Sequence, residues 1–337
     1  MQVPTNTLWF GIDVSKATID VALGPDGRRK PPHQKFPRTQ EGCRACLLWA
    51  ADLASGGSVP AFVMEATGGY SRELANWLLG ERKDLRVAIA QPLKVHHYAK
   101  LRGLTNKTDR QDAILLAQFG ASEPVVPFHP MSPAYIQLRA LTRERSALVK
   151  ALVALGNRND LASESALAQG IRERMLESHR AAIHELESAI QVLIAGDPGL
   201  STDFRLLQTI PGVGPVVAAT IMGELGDLRE FPHPKALAAF VGVAPAWNNS
   251  GTSVHEPPHM TKHGNSRVRQ MLYLAAMAAV RRPNTLNTSY EHLLKEGKAP
   301  KSALGAVMRK ILVLSRAVLL SGQGYNPEHK HISSIEI

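Results

Sequence analysis

Four carboxylates in this chain stand where an acid needs a partner. Asp13 falls inside the apolar run Trp9-Phe10-Gly11-Ile12-Asp13-Val14, and Glu65 ends the run Phe62-Val63-Met64-Glu65. A carboxylate among buried strand residues is costly unless it is paired or metal-bound. Asp109 and Asp112 are three apart at the start of a helical pattern, so they share one face. An Asp at a helix start also serves as a cap, which is the structural alternative for Asp109. Acids placed on two strands and a helix are hard oxygen ligands of the kind that paired Mg²⁺ ions need in order to polarise a phosphodiester.

Two further constellations lie toward the C-terminus. Ile210-Pro211-Gly212-Val213-Gly214-Pro215-Val216 reads as a helix-hairpin-helix turn. Gly212 and Gly214 would let backbone N–H groups approach a phosphate, and the next helix N-terminus favours the anion. A plain helix–helix turn would carry the same residues. The other is Asn248-Asn249-Ser250-Gly251-Thr252-Ser253, a Ser-Gly step ahead of Lys262-His263-Gly264-Asn265 and the cations Arg267 and Arg269. Taken bare, such a serine is an ordinary turn residue. Other signals are weak. Cys43 and Cys46 form one isolated C-x-x-C, which argues against zinc. His255, His259 and His263 repeat at four, but Pro257 and Pro258 break any helix there. No Walker A or dinucleotide fingerprint is present.

The elements that must hold these residues follow from periodicity. Strands are predicted at Leu8–Val14, Ala17–Leu23, Ala61–Ala66 and Arg86–Ala90, and helices at Glu41–Leu53, Ser71–Leu79 and Asp109–Phe119. Hairpin strands followed by strands alternating with helices imply a mixed α/β sheet. The acids placed on it resemble the pattern of the ribonuclease-H-like fold, in which a first-strand Asp and a fourth-strand Glu, here Asp13 and Glu65, are expected to meet at the sheet centre. Pro124, Pro127, Pro130 and Pro133 mark a boundary, after which the pattern is helical. Leu138, Leu141, Arg145, Leu148, Leu152 and Leu155 form one heptad seam, and Leu176, His179, Ile183, Leu186, Ile190 and Leu193 a second. The seams fit either two antiparallel helices packed on each other or an intermolecular coiled coil.

The balance of charge names the partner class. The 337 residues carry 39 Lys and Arg against 29 Asp and Glu, a net charge of +10. From Lys262 to Arg316 there are eleven cations, opposed only by Glu291 and Glu296. A surplus concentrated in this way reads as a phosphate-facing surface. With 44% hydrophobic residues, global disorder is excluded, and two cysteines exclude a disulfide scaffold and favour a reducing compartment. No apolar run is long enough to span a membrane and no secretory signal opens the chain, so a cytoplasmic protein is expected.

Taken together, these motifs resemble the DEDD transposases of the insertion-sequence-110 family, its insertion-sequence-1111 branch included. Gly11-Ile12-Asp13-Val14-Ser15-Lys16, Glu65-Ala66-Thr67-Gly68-Gly69-Tyr70 and Lys107-Thr108-Asp109-Arg110-Gln111-Asp112-Ala113 look like its three acidic motifs. Ile210 to Gly214, Gly242-Val243-Ala244-Pro245, Ser250-Gly251 and Lys262 to Asn265 are similar to its C-terminal domain. The resemblance implies a RuvC-like DEDD nuclease domain at 1–128, a helical coiled-coil domain at 129–202, a small helical transposase domain with the helix-hairpin-helix at 203–325, and a tail at 326–337. It implies Asp13, Glu65, Asp109 and Asp112 as catalytic ligands of two Mg²⁺ ions and Ser250 as a nucleophile held covalently on DNA, with Ser253 as the substitute. Gly212, Gly214, Lys262, Arg267 and Arg269 are expected to bind nucleic acid. Element and target DNA, a structured guide RNA and a homo-oligomer (dimer or tetramer) are the implied partners. The pattern His255-Glu256-Pro257-Pro258 departs from the family. The alternatives are a RuvC-like structure-specific nuclease that uses water, for which Ser250 would be dispensable, and a non-enzymatic nucleic-acid-binding protein.

Overall fold

Strand alternation around Gly11 builds the centre of a five-stranded sheet in a computed structural model of the chain. The structure describes residues 7–24, 30–54, 58–103, 108–159, 165–246, 249–250, 254–255, 259–262 and 264–328. These fall into two compact units, 1–130 and 131–337.

In the first unit β1 (Thr7–Val14), β2 (Thr18–Leu23) and β3 (His33–Pro37) run antiparallel as a meander. Next come α1 (Gln40–Leu53), β4 (Val59–Glu65), α2 (Gly69–Glu81), β5 (Arg86–Ala90), α3 (Pro92–Leu101) and α4 (Asp109–Ser122). β4 lies parallel to β1, and β5 parallel to β4, giving the order β3-β2-β1-β4-β5. This mixed sheet is consistent with a ribonuclease-H-like transposase fold. One face of β1 buries Phe10 and Ile12 with Cys43, Cys46, Leu74 and Leu78 of α1 and α2. Its other face packs Trp9 with Leu115, Leu116 and Phe119 of α4. Both cysteines are buried core thiols, and burial raises the Cys43 thiol to about 11.

Gly11 fixes how α4 crosses the sheet. A Cβ on Gly11 would stand 2.1 Å from the Ala113 carbonyl oxygen and 2.3 Å from the Ala117 nitrogen, so only glycine lets the helix backbone lie this close. That contact sets Ala113 over Gly11, and the helix turn before Ala113 carries Asp109 and Asp112.

Two elements escape the periodicity. β3 has the sequence His33-Gln34-Lys35-Phe36-Pro37, in which Phe36 alone is buried, as suits an edge strand. α3 begins with Pro92 in its first turn and buries only Val95 and Tyr98. Proline at that position reads as a stop in sequence, yet its missing N–H costs nothing at a helix start.

The second unit is helical: α5 (Pro133–Asn159), α6 (Ala166–Gly196), α7 (Pro198–Gln208), α8 (Pro215–Leu225), a short 3₁₀ turn (Leu228–Glu230) and α9 (Pro234–Val241). The two-residue strands β6 (Pro245–Ala246), β7 (Asn249–Ser250), β8 (Val254–His255) and β9 (His259–Met260) follow, then α10 (Ser266–Ala279), α11 (Thr285–Lys295) and α12 (Pro300–Ser321). The two heptad seams face each other within the chain, with Leu138, Leu176 and Ile190 buried. The charged member of the first seam is satisfied across the pair, because Arg145 donates to Glu187 at 2.6 Å. Leu138, Ile190 and Ile194 share one core with Leu207, Ile221, Leu272 and Ile311, so the long helices and the C-terminal helices are packed as one unit.

Candidate active site

The register brings the acids together at the carboxyl ends of the parallel strands. Ile12 pairs with Met64, which makes Asp13 and Glu65 the next residues on neighbouring strands. α4 adds its first turn, with Asp109 65% exposed and Asp112 half-buried. Asp109 is not the cap of that helix. Thr108 is, its hydroxyl accepting from the Gln111 N–H at 3.2 Å. Asp109 is thereby left free of the capping task.

The electrostatics bear the mark of gathered negative charge. Burial is the largest influence on Asp13, and the charges of Asp112, Asp109, Asp20 and Glu65 add to it, lifting the carboxyl from 3.8 to about 6. The charges that lift Asp13 belong to other carboxylates, a set that a multivalent cation would relieve. Among the described residues, no three His, Cys, Asp or Glu side chains close around a single point. The donors are hard oxygens of the type Mg²⁺ takes, so the chemistry of the set fits that ion.

Asp20 belongs to this cluster and was missed in the sequence. It lies directly opposite Asp13 on β2 and is only 4% exposed. Two like charges at paired strand positions repel, and β3 offsets them. His33 Nε2 stands 2.9 Å from one Asp20 oxygen and Lys35 Nζ 3.1 Å from the other. Lys35 Nζ also reaches Asp109 Oδ2 at 3.5 Å. The signal was available: Asp20 is an acid in the apolar run Thr18-Ile19-Asp20-Val21-Ala22-Leu23, the same anomaly that singled out Asp13.

The second unit holds the other site residues. α7 and α8 flank the Gly212-Val213-Gly214 turn as a helical hairpin. Gly212 has φ 85°, and a Cβ there would lie 2.2 Å from the Ala275 carbonyl oxygen. Its glycine is required by packing on α10. Gly214 is the cap residue of α8 and has open space around it. Lys262 is exposed in the left-handed region at φ 56°, with its N–H on the Gly242 carbonyl at 3.2 Å. Arg267 lies 3.9 Å from Glu224, and Arg269 donates to the Val241 carbonyl at 2.9 Å. Glu224 is almost fully buried and also accepts from Arg143 at 2.6 Å and from Asn265 at 2.9 Å. Burial alone would raise its carboxyl, but Arg143 and Asn265 outweigh that and hold it below its ordinary value. Asn265 in turn caps α10, accepting from the N–H groups of Arg267 and Val268. Ser250 ends β7 and pairs with Val254 in a two-stranded hairpin, while its side chain lies outside the described residues. Ser253, Gly251 and His263, and the side chains of His255 and His259, also lie outside them.

Among the described residues, no helix is long and apolar enough to cross a membrane. Residues 10–161 match a family model described as "Transposase", the DEDD type of insertion sequence IS110. Residues 204–291 match the model "Transposase IS116/IS110/IS902 family". The chain is 30% identical to the pilin gene-inverting protein of Moraxella bovis over 319 residues, covering 94% of this chain and 97% of that one. It is 25% identical to the transposase for insertion sequence element IS1111A of Coxiella burnetii, over 66% of each chain. A probable family 20 transposase of Pseudomonas aeruginosa is 28% identical over 65% of this chain and 70% of its own. With both family models in order along the chain and a relative matched nearly end to end, the protein belongs to the IS110/IS116/IS902 family of DEDD transposases, enzymes that cleave DNA.

Proposed function

We propose that this transposase recombines an insertion sequence with its target through a covalent phosphoserine on Ser250, assisted by Asp13, Glu65, Asp109 and Asp112 with two Mg²⁺ ions, and guided by a structured RNA. The observation that carries the reading is the acid cluster around Asp13, whose carboxyl is raised to about 6, by burial first and then by four other carboxylates. Mg²⁺ bound there would polarise the phosphodiester and offset the charge that develops on it. The chain's own residues supply the rest. β1 and β4 fix Asp13 and Glu65 side by side, and the Gly11 contact fixes the helix turn that bears Asp109 and Asp112. Ser250 Oγ forms a bond to phosphorus as a P–O bond of the DNA strand breaks. The net proton transfer is from the serine to the departing strand oxygen. A serine hydroxyl is a weak nucleophile and needs such activation.

Trapping on denaturing gels tests this. Wild-type protein with DNA, RNA and Mg²⁺ should give a protein–DNA adduct. Ser250→Ala should remove it while DNA binding persists, and Asp13→Ala, Glu65→Ala, Asp109→Ala or Asp112→Ala should each abolish recombination with the fold intact. A persistent adduct in Ser250→Ala, or its loss in Ser253→Ala alone, assigns the wrong serine. Simple hydrolysis in wild type would favour a structure-specific nuclease that uses water.

The guide RNA rests on the family resemblance and on the cation surplus from Lys262 to Arg316. Efficient recombination by protein free of nucleic acid refutes it. Assembly as a dimer or tetramer is supported by Val153, Leu167, Ile171 and Met175 on the α5–α6 pair, which stay 43% to 72% exposed after the seams close on each other. Light scattering of the active complex checks this, and a fully active monomer refutes it.

A further inference from the structure

A row of charges runs across the sheet beneath α4. Asp13 on β1 pairs with Asp20 on β2, and Asp20 pairs with Lys35 on β3. Directly paired residues project to the same face of a sheet, so all three lie on the α4 side. Lys35 is half-exposed, and its ammonium stands 3.1 Å from Asp20 Oδ2 and 3.5 Å from Asp109 Oδ2. Asp20 cannot follow it, because its other oxygen is held by His33 at 2.9 Å and its side chain is buried. Lys35 thus forms an ion pair with one of the four site acids, Asp109.

We propose that Asp20 and Lys35 are positioning residues for the carboxylate site: Asp20 anchors the Lys35 ammonium against Asp109, and a divalent cation must displace it from Asp109 in order to bind. The inference rests on the reading of Asp13, Glu65, Asp109 and Asp112 as ion ligands. A monovalent ammonium offsets part of the local negative charge and keeps the first turn of α4 tied to the sheet. A divalent ion offers more charge at the same oxygens and so wins when it is abundant. The displaced ammonium stays tethered to Asp20, at the margin of the site.

The test is Mn²⁺ binding to the full-length protein without DNA, followed by the electron paramagnetic resonance of free Mn²⁺. Lys35→Met removes the competing charge and should tighten Mn²⁺ binding about threefold to tenfold, the size expected for one charge acting on a divalent ion a few ångströms away in a wet site. Lys35→Arg retains charge and reach and should restore the wild-type affinity, which a merely structural loss in the edge strand would not do. Asp20→Asn leaves Lys35 with Asp109 alone and should weaken Mn²⁺ binding. Circular dichroism establishes that each variant is folded. Mn²⁺ binding that Asp13→Asn removes but Lys35→Met leaves unchanged or weakened overturns the role of Lys35 alone. Absent Mn²⁺ binding in wild type, or binding that Asp13→Asn leaves intact, overturns the carboxylate site and this inference together.

Discussion

Replacing Asp13 with Asn should make the metal-free protein more stable, although it destroys the site. The Asp13 carboxyl is raised from 3.8 to about 6, by burial first and then by Asp112, Asp109, Asp20 and Glu65. A raised folded-state value means that the folded state prefers the protonated acid. The associated stability is fully present below about 3.8 and is lost as the pH rises through about 6. At pH 7.5 the ionised carboxylate therefore opposes folding. A shift of this size corresponds to at most about 3 kcal/mol, and solvent screening of the partly exposed neighbours reduces it to about 1–2 kcal/mol. Asn keeps the shape and removes the charge. Urea unfolding in a chelator checks the sign. Trp9, Trp49 and Trp77, three of the four tryptophans, lie in the first unit, so fluorescence follows the unit concerned. The Asp13→Asn midpoint should exceed wild type at pH 7.5, and the gap should close toward pH 4. Added Mg²⁺ should stabilise wild type more than the variant. A variant that is no more stable at pH 7.5, or whose advantage persists unchanged at pH 4, would refute the claim that the site stores repulsion.

Gly11→Ala places a methyl 2.1 Å from a backbone oxygen of α4 and should cost about 3 kcal/mol or more, with cleavage lost because the turn bearing Asp109 and Asp112 is pushed off the sheet. Equal melting temperatures for the variant and wild type would contradict that contact. Glu224→Gln should cost about 1–3 kcal/mol at pH 7, since charge-assisted bonds to Arg143 and Asn265 are lost. Its carboxyl is held below its ordinary value, so this contribution is present above about 4.5 and fades as the pH falls through the depressed folded value; a penalty that grows on acidification would contradict it.

Much of the first unit was legible because its residues carry strong, local signals. An acid inside an apolar run stands out, as Asp13 and Glu65 do. The elements that escaped were those with little to bury. β3 hides one side chain and α3 two, so neither leaves a pattern of period 2 or 3.6. Missing β3 had a chemical consequence, because His33 and Lys35 sit on it. Without them Asp20 is an acid in an apolar run with no visible partner. With them it is a buried carboxylate tied from both sides and set against Asp13.

Charge totals in the second unit were read correctly as numbers, yet they overstate the cations free to meet phosphate. Arg269 is committed to the Val241 carbonyl, Arg316 to the Phe231 carbonyl at 2.7 Å, and Lys310 to Ser289 at 2.8 Å. Burial holds the Lys310 and Arg269 side chains below their ordinary values, as expected of groups drawn into the fold. A sequence shows that a cation is present, but whether it closes a helix end or faces solvent depends on a carbonyl tens of residues away. The same long-range logic joins Glu224 of α8 to Arg143 of α5 and to the cap of α10. The basic segment that follows the Ser250 hairpin is thus held in place by an acid that composition alone would have counted against it.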